Sequence, residues 1–447
     1  MKKWIQTAAA LSLLASAMGC AGGSTSQSKG ADTLTGSYTM EITGYDWGAG
    51  TSRVTITLDH PLDSVDENSF TVTETKGATD FTQAPEFPIV EGSVERKVTA
   101  AYLVDENGKK TDQPSTTVEL ELYVSPDDGS PITFTLPAQL NIWCNPYSLE
   151  IVPAEGASLT SNGTAVTSLT IDSTPAGRTT SADAFQTASY TAEDGVSYEY
   201  AYYTPETDSD TLVVWLHGLG EGGTENTDPY ITLLANKVTA LAGESFQSIM
   251  GGAHVLVPQC PSYWMDNDGK GSNFNDGGIQ ADGTSYYTES LHELIESYKA
   301  ECGESKVILA GCSNGGYMTM LMAMNYPEDY DAIVPICEAV PDAVISDEQI
   351  SAIKDLPIFF IYSEDDTTVD PTLHEIPTIA RLMEAGAENV HVSTSEHVID
   401  TSGTYTDENG NPYQYMGHWS WIYFDNNESL CDECDTDVWN WMAEQVK

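Results

Sequence analysis

Hydrophobic positions along this chain follow two regimes. From 36 to 152 they alternate with polar ones in period two: Tyr38, Met40, Ile42; Val54, Ile56, Leu58; Phe70, Val72; Val98, Ala100, Tyr102, Val104; Val118, Leu120, Leu122, Val124; Ile132, Phe134, Leu136. Turn chemistry separates the runs, as at Asp105-Glu106-Asn107-Gly108. Short half-buried strands with no helical period predict a β-sandwich over 36–152. No Cys…Trp…Cys spacing is present, so immunoglobulin-like describes the architecture only. Residues 153–190 are rich in Ser, Thr, Ala and Gly and read as a connector. From 191 to 447 the pattern changes to continuous apolar runs: 212–216, 253–257, 306–310, 332–336 and 357–362. Such runs are buried on both faces and predict a parallel sheet. Helical stripes lie between them, one at Leu291, Leu294, Ile295 and Tyr298, another including Ile379, Leu382 and Met383, with a last helix over 438–446. Alternating strands and helices predict a doubly wound α/β domain.

A length of 447 residues agrees with two or three domains. Hydrophobic residues at 40% and charged ones at 19% exclude wholesale disorder. The 17 Lys and Arg against 68 Asp and Glu leave a formal charge of −51. A surface this acidic repels phosphate backbones, which argues against nucleic acid as a partner. Residues 1–20 carry Lys2 and Lys3, then an apolar stretch from Ala8 to Met18 that is too short to span a bilayer. That pattern predicts an export signal. The small residues Ala17-Met18-Gly19 before Cys20 resemble a bacterial lipoprotein box. The resemblance implies lipidation of Cys20, a cell-surface location, and membrane contact through that anchor alone. Residues 21–35 suit a flexible tether.

The candidate chemistry starts at Gly311-Cys312-Ser313-Asn314-Gly315-Gly316, directly after the run 306–310 and before a helical stretch. A strand, a sharp turn and a helix form a nucleophile elbow, which lifts Ser313 Oγ above the carboxyl edge of the sheet. The next amide, Asn314 N–H, can donate to an oxyanion. The acid belongs after a later strand, and Asp365 and Asp366 compete for it beyond 357–362. Of the eight histidines, His418 in Gly417-His-Trp-Ser-Trp421 has the late position a base needs, with His397 in reserve. The Gly-rich stretch 216–223 offers a second oxyanion donor, Leu219 N–H. His217 is read as a brace for that loop.

The stretches 216–223, Val257-Pro-Gln-Cys260, 311–316 and 417–421 together resemble esterases of the α/β-hydrolase superfamily, of the prolyl-oligopeptidase-like and polyhydroxybutyrate-depolymerase-like kinds. Some of these carry an N-terminal immunoglobulin-like domain. The resemblance implies hydrolysis of short-chain acyl or aryl and feruloyl esters, small or polysaccharide-linked, with Ser313 as nucleophile, Asp366 as acid and His418 as base. It places the oxyanion donors at Leu219 and Asn314 and calls for no cofactor or metal. Cys337-Glu338-Ala339 stands where relatives often show glycines, and a long polar loop, 398–416, precedes His418. Trp264, Trp419 and Trp421 either line a groove for an aromatic or sugar-bearing ester or simply pack.

Two further motifs and two alternative readings remain. Asp266-Asn-Asp-Gly-Lys-Gly271 has the start of a calcium loop, but Lys270 sits at a ligand position and Gly277 stands in the place of the closing Glu. Cys431 and Cys434 could be half a metal site, a loop disulfide or two free thiols. Serine peptidase chemistry on the same fold is an alternative reading, although 36–152 is too short for the propeller such peptidases carry. An inert glycan-binding protein is the other.

Overall fold

A computed structural model describes residues 32–136, 138–223, 228–270 and 280–447. The leader, Cys20 and Gly277 lie outside the described residues.

The N-terminal region is all strand. One sheet runs, in spatial order, Ser168–Ile171, Thr33–Tyr45, Gly48–Leu62, Ser115–Leu122, Val98–Val104 and Lys110–Thr111, with Gly177–Thr180 also on the Thr33–Tyr45 strand. A second sheet orders Tyr147–Pro153, Phe70–Thr79 and Ile89–Arg96. The alternating apolar residues meet between them: Tyr38, Val54, Ile56, Val72, Val118, Leu120 and Leu149 are all buried in one cluster. The hairpin Ile132–Thr135 and Leu140–Trp143 stands apart and points at the second domain.

Two stretches differ from the sequence reading. The first strand begins at Thr33, inside the expected tether. Residues 168–171 and 177–180, expected as connector, pair in parallel with that strand, Leu34 opposite Leu169 and Met40 opposite Arg178. Both are short strands, rich in Ser and Thr, and they need little apolar patterning.

Strands of the second domain are numbered here in chain order: β1 Gln186–Thr191, β2 Ser197–Tyr203, β3 Thr211–Leu216, β4 His254–Gln259, β5 Lys306–Cys312, β6 Ala332–Ile336, β7 Ile358–Ser363 and β8 Val390–Ser395. Their spatial order is β1-β2-β4-β3-β5-β6-β7-β8. Only β2 runs antiparallel to its neighbours β1 and β4; the rest are parallel. The continuous runs serve two cores, because successive side chains point to opposite faces. In β3, Val213 and Trp215 join the layer of Phe246, Phe424 and Trp441, while Leu212, Val214 and Leu216 join that of Leu291, Tyr317 and Met320. Helices Thr288–Cys302 and Asn314–Asn325 cover one face, and Glu244–Met250 and Val438–Gln445 the other.

Candidate active site

The turn from β5 into helix Asn314–Asn325 holds Ser313 at φ 56°, ψ −116°. An L residue pays roughly 1–3 kcal/mol for such a conformation. The turn is held by its surroundings. Ser313 N–H donates to Ile336 O at 2.8 Å, and Tyr317 N–H closes the first helical bond to Ser313 O, also at 2.8 Å. Position 315 must be glycine, because a Cβ there would fall on the carbonyl oxygen of Leu216 at the end of β3. The elbow therefore fits tightly between β3 and β6.

Asp366 follows β7 in a turn. Its Oδ1 accepts Thr368 N–H at 2.8 Å and Val369 N–H at 2.9 Å. Its Oδ2 meets His418 Nδ1 at 2.7 Å. These donors fix the carboxylate's orientation. His418 sits on a short turn, Gly417–Trp419, with its ring edge-on to Trp421. Its Nε2 lies 2.9 Å from Ser313 Oγ. Three side chains from β5, β7 and a late loop thus form one hydrogen-bonded line. Both His418 and Asp366 are buried.

The neighbouring Asp365 takes a different course. Its Oδ1 accepts the Ser363 hydroxyl at 2.6 Å, and its Oδ2 meets His397 Nδ1 at 2.8 Å. That hydrogen bond raises His397 above the ordinary imidazole value. Asp365 is held below the usual carboxylate range, despite partial burial, by its bonds to Ser363 and His397. His397, the reserve base, is exposed and bound elsewhere.

The loop after β3 lies beside the elbow: a Cβ on Gly218 would stand 3.7 Å from Cys312 Sγ and 3.9 Å from Cys312 O. Leu219 opens a short 3-10 turn, Leu219–Glu221. His217 accepts Cys260 N–H on Nε2 at 2.9 Å, and burial lowers it to about 4, so it braces the loop as a neutral ring. Asn314 also anchors the far side of the site, its Oδ1 accepting Trp264 N–H at 2.8 Å.

Trp264, for which groove lining and plain packing both stood open, is fully buried. Its ring packs against Tyr198, His217 and Tyr287 beneath the loop. Residue type alone cannot tell an aromatic that lines a groove from one that fills a core. Trp419 is partly exposed and packs on Tyr415 and Trp421.

Sequence reasoning missed Glu221, Glu338 and Glu375. Glu338 lies behind the elbow, 3.0 Å from where a Cβ on Gly316 would be. Burial pushes its carboxyl up to about 8 and raises Glu375 beside it, so the pair retains a proton at neutral pH. A single acid, whether in a Gly-rich stretch as at Glu221 or beside an apolar run as at Glu338, gives no local signal of burial. Cys431 and Cys434 form a disulfide. His391 brings Nδ1 within 3.5 and 3.6 Å of the two sulfurs, although it lies 40 residues away in the chain. Cys337, Asp366 and His418 also come close enough to hold an ion, but both ring nitrogens of His418 are already engaged. Asp266 caps its own turn, accepting Asp268 N–H and Gly269 N–H. Among the described residues, no helix is long and apolar enough to cross a membrane.

Residues 37–167 match the esterase Ig-like N-terminal domain family, and residues 202–402 match the phospholipase/carboxylesterase family. No curated protein matches the chain. The crystal structure of a thermostable esterase aligns over 88% of this chain and 96% of its own, at 20% identity and TM-score 0.63. An acylaminoacyl peptidase from Pyrococcus horikoshii aligns over 48% of this chain and 37% of its own, at 14% identity and TM-score 0.33. A thermostable carboxyl esterase from Bacillus coagulans aligns over 47% and 90%, at 12% identity and TM-score 0.34. The first likeness establishes a shared two-domain fold, and the other two add no weight to it.

Proposed function

The chain is a carboxylesterase-type hydrolase with an immunoglobulin-like N-terminal domain, and from that premise we propose that it cleaves esters through nucleophilic catalysis at Ser313. One observation carries the reading: the unbroken line Asp366 Oδ2 to His418 Nδ1 at 2.7 Å and His418 Nε2 to Ser313 Oγ at 2.9 Å. Asp366 accepts Nδ1–H and so leaves the Nε2 lone pair facing the hydroxyl. His418 takes the Ser313 proton as Oγ adds to the ester carbonyl. The carbonyl oxygen becomes an oxyanion, met by the N–H groups of Leu219 and Asn314. Each such donor is worth roughly 10²–10³ in rate. The tetrahedral adduct collapses, the bond to the alcohol oxygen breaks, and His418 returns its proton to that oxygen. Water then enters. His418 takes a proton from it, hydroxide adds to the acyl carbon, and Ser313 leaves with the proton as the acid is freed.

The substrates we propose are neutral short-chain acyl or aryl esters, feruloyl esters included, free or polysaccharide-linked. An acidic surface disfavours anionic bulk substrates, and the half-buried Trp419 follows His418 directly in the chain. Export and anchoring through Cys20 belong to the same proposal and rest on the leader sequence.

The test is hydrolysis of a p-nitrophenyl acyl series, acetate to decanoate, with methyl ferulate and a prolyl anilide, by the protein and its Ser313→Ala variant. Ester turnover lost in Ser313→Ala, without anilide cleavage, is the expected result. Anilide cleavage would move the answer to a peptidase, and ester turnover that survives Ser313→Ala would sink the reading.

A further inference from the structure

The immunoglobulin-like domain touches the hydrolase domain where its chemistry lies. The tip of the hairpin Ile132–Thr135 and Leu140–Trp143 rests on the loop that follows β3. Tyr263 O–H donates to Ala138 O at 2.6 Å, and Leu140 and Ile142 cluster with Tyr263, Leu219 and Met265. A Cβ on Gly223 would stand 3.0 Å from the Leu140 methyls, and one on Gly220 would stand 2.8 Å from Asn141 Nδ2. Trp143 Nε1–H donates to Asp228 Oδ2 at 2.7 Å, beyond the other end of the loop.

At the centre of this contact is Glu221, only 4% exposed. Its carboxylate turns back on its own loop: a Cβ on Gly218 would stand 3.0 Å from Glu221 Oε2, and the backbone of Gly218 and Glu221, on either side of Leu219–Gly220, favours its charged form. A side-chain donor comes from the other domain: Asn141 Nδ2–H reaches Glu221 Oε1 at 2.7 Å. Burial pushes Glu221 up to about 7, and the Asn141 amide opposes that by bonding the charged form. The other groups facing it are Cys312 on the elbow, with the buried Asp425 beyond, and the neutral His217 ring beside Gly222. None of these supplies a positive charge.

We infer that Asn141 of the immunoglobulin-like domain is a positioning residue for the oxyanion hole: through the Glu221 carboxylate it holds the Gly218–Leu219 turn so that Leu219 N–H faces the reacting carbonyl. The inference rests on the reading of Leu219 as an oxyanion donor. It makes the N-terminal domain a part of the active site's supporting structure, since Leu219 touches substrate and Asn141 acts at one remove.

The experiment is the pH profile of p-nitrophenyl acetate hydrolysis by the full chain, with Asn141→Leu and Tyr263→Phe compared. Asn141→Leu is expected to lower kcat about tenfold, with KM within about twofold, because a misaimed donor is lost mainly in the transition state. The acid limb of kcat/KM should also move to higher pH, because Glu221 without its amide donor stays protonated longer. Tyr263→Phe cuts a neighbouring tie of the same hairpin without touching Glu221. It should lower Tm and leave the limb in place. An Asn141→Leu enzyme with lower Tm but the parent's kcat and acid limb would overturn the inference. If Asn141→Leu does not fold, Glu221→Gln reports in its place: a loss of kcat with KM within about twofold of the parent's is expected, and the parent's kcat would overturn the inference. Ser313→Ala separates the two readings. Should it keep turnover, the serine mechanism fails; should it be dead while Asn141→Leu is as active as the parent, only the inference fails.

Discussion

Two aspartate–histidine pairs leave the same turn after β7, and they differ in almost everything but chemistry. Asp366 and His418 are buried, and His418 continues to Ser313. Asp365 and His397 are closer to solvent, and Asp365 is shared with the hydroxyl of Ser363 on its own strand. The two contacts have nearly equal lengths, 2.7 and 2.8 Å. What separates them is what the other imidazole nitrogen faces. His418 Nε2 faces a serine hydroxyl, whereas His397 Nε2 points toward Glu396, 3.8 Å away. The same aspartate–histidine contact thus occurs at the surface as well, and burial with a third partner is what equips the Asp366–His418 pair for the proposed chemistry.

The comparison can be broken by mutation. His418→Ala should cost the most, roughly 10⁴-fold or more in kcat, because the base and the proton return are both lost. Asp366→Asn should cost about 10²–10⁴-fold, since an amide can stabilise the wrong tautomer. Both are read by steady-state kinetics with p-nitrophenyl acetate. Gly417→Ala comes next. A Cβ there would run into the Asp365 side chain and lie 2.7 Å from its carbonyl oxygen, so the turn carrying His418 must shift. We expect about a tenfold loss in kcat, since misplacement by about 1 Å can cost as much as 10²-fold.

His397→Ala should do least, with kcat within about twofold of the parent. Its signature is in stability. His397 is raised, so its contribution is complete below the ordinary imidazole value and fades as pH rises through its folded value. Asp365 is lowered, so its contribution holds above the ordinary carboxylate value and fades as pH falls through its folded one. The Tm gap between parent and His397→Ala should therefore be widest between about pH 4 and about pH 6.5 and narrow toward pH 8. A gap that widened toward pH 8 would contradict the ion-pair account.

Much of this was legible in the sequence because it is local. The elbow is a strand, a glycine-flanked serine and a helix within a few residues, and the buried runs mark β3 to β7 by themselves. The order of serine, acid and histidine follows from the strands they trail. The choice between Asp365 and Asp366 was less legible, because adjacent residues on a turn point in different directions and only the resemblance favoured one. The short strands at 168–171 and 177–180 are too polar to announce themselves. For Trp264 the sequence left groove and core equally open, and the fold places it in the core. Asn141 with Glu221, and His391 with the Cys431–Cys434 disulfide, meet only in the folded chain, 80 and 40 residues apart. No composition or spacing rule reaches that far.

The 80 residues between Asn141 and Glu221 also set an order of events during synthesis. Domains fold as they emerge, N-terminal first. The sandwich and its hairpin are complete before β3 and the loop behind it leave the ribosome. For that interval Leu140 has no Tyr263 to cover it, and Asn141 has no carboxylate to bind. When the loop arrives, its partner is already shaped, and the hairpin acts as a template on which the later-born loop sets. A nascent fragment ending before residue 211 should therefore carry an uncovered apolar tip at Leu140 and Ile142.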